Sequence, residues 1–178
     1  MGWSHNHHAS DVTAVFIANA LGSTQIREEP KKNGPQSIGK SRGGWTTKIH
    51  MVAADARTAI TFSLSPGQAG DAPQGRELLA SLGAPNRPLH LLMDKAYEGN
   101  ETRQLALDLG YIPVVPPLRT RVEPWEYDRE MYKRRNEVER LFRRLKGFRR
   151  IFTRFEKLDI MFLGFISFVL VADGLRMC

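Results

Sequence analysis

Tyr132, Arg135, Glu139 and Lys146 stand in the pattern Y-x2-R-x3-E-x6-K. At roughly 100° per residue on a helix, they point to about 0°, 300°, 340° and 320° and share a strip about 60° wide. Met131, Val138, Leu141, Phe142, Leu145 and Phe148 occupy the neighbouring sector, so the strip borders a buried face. One carboxylate beside a core, ringed by three groups able to contact phosphate, suggests a site rather than a solvated face. Asp94 is the second candidate, at the end of the apolar run Leu91-Leu92-Met93. Active sites of sheet proteins gather at the carboxyl ends of strands. A carboxylate there and one on a core-facing helix could together hold Mg²⁺, which prefers hard oxygen ligands, and so support attack on a phosphodiester. Spacing alone allows equally that Asp94 merely ends a strand and caps the next turn. Likewise, Glu139 could simply be neutralised by Arg135 and Arg143, each four residues away on a helix.

Charge narrows the chemistry. The chain of 178 residues carries a net +7, and the segment Arg129–Lys157 holds 12 Lys/Arg against 4 Asp/Glu. The remainder is nearly neutral, so the excess positive charge is concentrated around the Tyr132–Lys146 pattern, the footprint of a polyanion-binding surface. The one cysteine, Cys178, excludes a disulfide framework and points to a reducing cytosol. The N-terminus lacks a basic region followed by an apolar run, so no signal peptide is expected. His5, His7 and His8 form no recognisable metal set.

These residues need a scaffold. Residues 1–20 read as a poorly ordered leader, with strand character from Val15 to Ile26. Residues 28–44 read as a long basic loop. Trp45–Ala54 and Thr58–Ser65 alternate as hairpin partners around Asp55-Ala56-Arg57. A helix capped by Asp71 and ending at Gly83, a strand over Arg87–Met93, a helix from Asn100 to Gly110 and a strand over Tyr111–Val115 follow. Prolines 113, 116, 117 and 124 mark a connector. One long helix is expected over Arg129–Gly147. The last, Asp159–Arg176, reads as a buried core helix, its 13 uncharged residues being too few for a membrane span. The fold class is α/β, a mixed sheet with helices on its faces.

The Tyr132–Lys146 pattern resembles that of bacterial insertion-sequence DDE transposases, in the branch with a Y-x2-R-x3-E-x6-K signature. Asp94-Lys-Ala-Tyr-Glu-Gly, the segment from Lys31 to His50 and the segment from Arg121 to Arg135 carry the same likeness, which covers Leu21 to Arg176. It implies a ribonuclease-H-like catalytic domain over 21–176 that holds two Mg²⁺, cuts element ends and joins them to target DNA. Asp94 and Glu139 would be the second and third acids, catalytic and metal-binding. Tyr132, Arg135, Arg143, Lys146 and Lys95 would contact DNA. Partners would be transposon ends, target DNA and further transposase copies, in the bacterial cytoplasm at the nucleoid, with no membrane.

Two departures accompany the likeness. The family's first acid opens an Asp-Ser-Thr segment, whereas this chain reads Leu21-Gly22-Ser23-Thr24, with Gly22 at the acid's place. Glu28 is the nearest substitute. The family's helical DNA-binding region is also expected to be missing ahead of Leu21, as in a truncated catalytic part. Activity is therefore expected to be impaired. The alternative is a non-catalytic DNA-binding remnant that pairs with intact transposase and inhibits it.

Overall fold

The apolar run from Ala14 to Ala18 has no polar face, which suits a strand buried on both sides. The computed structural model describes residues 14–23 and 34–175, and this run opens the central strand β1 (Ala14–Ser23). β1 pairs antiparallel with β3 (Gly44–Ala53) and parallel with β5 (Leu89–Met93). β6 (Tyr111–Val114) extends the parallel half, and β4 (Ala59–Pro66) pairs antiparallel with β3. A short strand, β2 (Gly39–Ser41), pairs with the start of β3. The β3–β4 turn is closed by Asp55, whose carboxylate accepts from the Arg57 and Thr58 amides at 2.7 and 2.9 Å.

Strand alternation divides the core into two layers. Val15, Ile17, Leu91 and Met93 face α1 (Asp71–Leu82) and α2 (Asn100–Asp108), meeting Leu78, Leu79 and Ala106. Phe16, Ala18 and Leu92 face the opposite layer. That layer contains α4 (Asn136–Gly147), α5 (Arg149–Phe152) and α6 (Asp159–Leu175), preceded by the short α3 (Arg129–Lys133). The mixed sheet flanked by helices is the α/β class expected from the sequence.

Several local expectations are corrected. β1 starts at Ala14, so the supposed leader contributes residues 14–20 to the sheet centre. The supposed loop 28–44 contains β2, while residues 24–33 lie outside the described residues, as do His5, His7, His8 and Cys178. Gly70, not Asp71, is the N-cap of α1, and the Asp71 carboxylate instead accepts from Lys48 Nζ at 2.7 Å. The long helix over 129–147 is two helices. Between them the amides of Arg134, Arg135 and Glu137 donate to carbonyls three residues back, and Arg134 pairs with Glu137 at the same spacing, 3.1 Å. That is the tighter 3₁₀ geometry, in which i and i+3 eclipse. α6 buries Phe162, Ile166 and Val169 but exposes Ile160, Met161, Phe168, Val171 and Leu175, so only one side is core. No helix of the described residues is long and apolar enough to cross a membrane.

The helical layer is fastened by Arg154, which is 1% exposed and sits at a positive φ of 40°. Its guanidinium donates to the carbonyls of Ser37, Glu156 and Lys157 at 2.9, 3.1 and 3.0 Å, to Asp159 Oδ1 at 2.6 Å, and to Thr47 Oγ1. Asp159 also accepts from the Ser37 amide and hydroxyl, both at 2.7 Å. The cluster joins β3, the segment before β2 and the start of α6. Truncation to alanine would leave the Asp159 carboxylate without its cation and the carbonyls of Glu156 and Lys157 without this donor. Arg154→Ala should therefore lower unfolding free energy by about 3 kcal/mol or more, read as a reduced urea midpoint. Arg154→Lys, with one compact ammonium, should recover only a minor part of it.

Candidate active site

Asp94 follows the last residue of β5, and its amide still donates to the Ile17 carbonyl of β1 at 3.3 Å. Being two residues after Leu92, it faces the α4 layer. The chain then tightens into a 3₁₀ turn, Lys95–Tyr97, closed by Tyr97 N–H donating to the Asp94 carbonyl at 2.9 Å. Tyr97 is fully buried and holds this turn down. Its ring lies where a side chain at position 75 would be, since a Cβ on Gly75 would stand 2.4 Å from it. Its hydroxyl hydrogen-bonds His50 Nδ1 at 3.0 Å, and His50 Nε2 meets Ser65 Oγ at 2.7 Å. Glu98, next in line, is buried against Arg121 at 3.1 Å.

Across from Asp94, Asp128 caps α3 by accepting from the Met131 amide at 2.9 Å. Val138, Leu141, Phe142 and Leu145 bury one side of α4, and Glu139 projects from its margin. Arg135 lies between the two acids. Its Nη1 donates to Asp94 Oδ2 at 3.3 Å and its Nη2 donates to Glu139 Oε1. The guanidinium carbon sits 5.7 Å from the centroid of the Tyr132 ring, and Tyr127 meets that ring edge-on. Burial raises the Tyr132 hydroxyl pKa, with Arg135 opposing and Asp94 adding to the shift. A cleft of about 310 Å³ opens beside this bridge, lined by Ala18, Asp94, Arg135, Glu139, Phe142, Arg143 and Lys146.

The structure thus brings together five of the seven residues singled out in sequence, with Tyr132 immediately behind Arg135. Lys95 is exposed at the start of the 3₁₀ turn and does not line the cleft. Glu139 pairs with Arg135 and not with Arg143, since Arg135 can grip both acids at once. Among the described residues, neither Arg143 nor Lys146 has a carboxylate partner.

The register of β1 sets Gly22 away from Asp94. Parallel pairing sets Ile17 beside Met93, so the next residue, Ala18, is the one that lines the cleft with Asp94. Gly22 lies four residues farther along β1, opposite Thr47 of β3. At about 3.3 Å per residue that is about 13 Å beyond the cleft. A two-ion site needs a third carboxylate near Asp94 and Glu139. Ala18 supplies a methyl group there, and the described residues include no cluster of three or more His, Cys, Asp or Glu able to hold an ion. The residues described do not fit a two-Mg²⁺ centre.

Sequence reasoning missed a second concavity. It is a larger, open groove of about 770 Å³ that includes Arg103, Arg121, Val122 and Trp125. Arg103 and Arg121 lie 3.7 and 4.4 Å from the Trp125 ring centroid. The segment from Arg121 to Trp125 was visible only as part of the family likeness.

Asp94, at the end of a parallel strand, thus stands opposite Glu139 on a basic, amphipathic helix. The profile of the transposase DDE domain family matches residues 20–171, and the chain belongs to that family. It is 32% identical over 132 residues to a Brucella ovis protein assigned as the transposase for insertion sequence element IS6501, covering 74% of this chain and 99% of that one. Two solved structures overlap it partially at 14% identity. They are a piggyBac transposase synaptic complex with hairpin DNA (TM-score 0.42) and a Mos1 transposase paired-end complex with the left transposon end (TM-score 0.38). The overlaps cover 62% and 57% of this chain and 24% and 34% of those chains.

His50 gives the mount beneath Asp94 a pH signature. Burial lowers its pKa from 6.5 to about 4, with Asp71 pulling it up and Lys48 pushing it down. The folded state therefore holds a neutral ring while the unfolded chain takes up a proton below 6.5. The stabilisation is complete above pH 6.5 and is lost as pH falls towards 4. Melting temperature should drop across that window, and His50→Gln should flatten the drop.

Proposed function

We propose that this chain is an insertion-sequence transposase catalytic core that binds DNA along the α3–α5 face, with strand cleavage and transfer impaired. The observation that carries this reading is the cleft beside α4. Asp94 and Glu139 converge there on Arg135, Arg143 and Lys146 line its wall, and Ala18 stands beside Asp94. Phosphate contacts by Arg and Lys fix the register of a duplex without reading its sequence. Lys40 and Arg42, flanking the β2–β3 turn, add positive charge at the end of the sheet towards which β1 runs. The intended substrates are element ends and target DNA, met in the bacterial cytoplasm at the nucleoid.

That the described residues place no third carboxylate beside Asp94 also supports the second reading, a DNA-binding remnant that pairs with intact transposase and inhibits it. In both readings the chain binds DNA, and they part on what restored acid does. With Mg²⁺ or Mn²⁺ and element-end DNA, the unaltered protein should cleave little. Ala18→Asp should raise cleavage at least tenfold and Gly22→Asp should leave it unchanged. Cleavage by the unaltered protein that survives Glu139→Ala would overturn the site. Binding with no cleavage in Ala18→Asp would favour the inhibitory remnant. Duplex affinity should fall steeply with salt, and each of Arg143→Ala and Lys146→Ala should lower the slope of log affinity against log salt by about 1.

A further inference from the structure

We propose that the cleft beside α4 is a phosphodiester site that works without a divalent cation, the Arg135 guanidinium taking the cation's place between Asp94 and Glu139. The inference rests on the DNA-binding reading above and adds what holds the phosphate.

The charges in the cleft decide the matter. Its lining carries two carboxylates and three cations. Both carboxylates are already engaged by separate nitrogens of Arg135. The guanidinium is itself seated, with the Tyr132 ring beside it and Tyr127 bracing that ring. A divalent ion would have to displace this cation. Among the described residues it would then find two carboxylates, the Ala18 methyl group and the charges of Arg143 and Lys146. Mg²⁺ gives up its water reluctantly and needs concentrated negative charge to do so. A phosphate oxygen meets the opposite situation. Arg143 and Lys146 are exposed, line the same wall and have no carboxylate partner among the described residues. Charge-assisted hydrogen bonds from such groups to phosphate are short and strong. Arg135, by neutralising Asp94 and Glu139, removes the repulsion those acids would exert on a phosphate. The site therefore favours the anion over the metal.

Two measurements on the whole chain test this separately. The first is Mn²⁺ uptake, followed by the electron paramagnetic resonance of the free ion. The unaltered protein should show no saturable binding in the submillimolar range. Ala18→Asp, which supplies a third carboxylate, should gain it. Should that variant fail to fold, Arg135→Ala, which releases both acids, should take up Mn²⁺ more tightly than the unaltered protein.

The second is the affinity for a fluorescent duplex, at matched ionic strength, with Mg²⁺ or with chelator. The unaltered protein should bind equally in both, within about twofold, and the double variant Arg143→Ala, Lys146→Ala should bind at least tenfold more weakly in both. Saturable submillimolar Mn²⁺ binding by the unaltered protein, or a tenfold gain in DNA affinity with Mg²⁺, would overturn the proposal. An unchanged affinity in the double variant would also overturn it, by placing the phosphate elsewhere. Failure to bind DNA under either condition would instead defeat the DNA-binding reading, and the Mn²⁺ result would still decide whether the acids accept a metal.

Discussion

A buried guanidinium must find acceptors for its donors or it does not stay buried, and Arg154 meets that demand across three parts of the chain. Its acceptors come from β3, from the segment leading into β2 and from the turn into α6. Desolvating the charge is costly, so the geometry that satisfies it is sharply defined. Because α5 ends at this cluster and α4 precedes α5 directly, the cluster fixes where the helical layer rests on β1. The position of Glu139 above the strand ends follows from it.

The cleft beside α4 uses the same chemistry with the opposite exposure. Arg135 reaches 41 residues back in sequence to Asp94 and four forward to Glu139, yet all three groups remain in contact with solvent. Exposed pairs of this kind contribute little to stability. Their effect is on local charge: the acids cease to act as free anions and the surrounding cations dominate. Rigidity comes from below, where Tyr97 packs against the backbone at Gly75 and bonds to His50.

Much of this arrangement was legible in the sequence. Apolar spacing placed Glu139 on the margin of a buried helix face, and the run ending at Met93 placed Asp94 at a strand terminus. What escaped depends on partners far apart in the chain. The register of β1 against β5 decides that Ala18, not Gly22, stands beside Asp94, and a one-strand pattern carries no register information. Arg154 is one of 12 basic residues in its segment, with nothing local to mark it as buried. The break at Arg134 and Arg135 substitutes i+3 for i+4 hydrogen bonds over a single turn, a change too small to disturb the apolar period. The choice between Arg135 and Arg143 as partner for Glu139 was open on spacing, because both lie four residues away. Asp94, invisible to a helical pattern, tips the choice.

The outer side of α6 gives the chain a colloidal character of its own. Ile160, Met161, Phe168, Val171 and Leu175 form an apolar ridge in water on a protein whose net charge is +7. In dilute buffer a net charge of that size favours separation of copies. Added salt shortens the reach of the repulsion to about 10 Å at 0.1 M, while the tendency of apolar surface to leave water persists. Ionic strength thus weakens the electrostatic repulsion between copies while leaving the drive to bury the ridge in place.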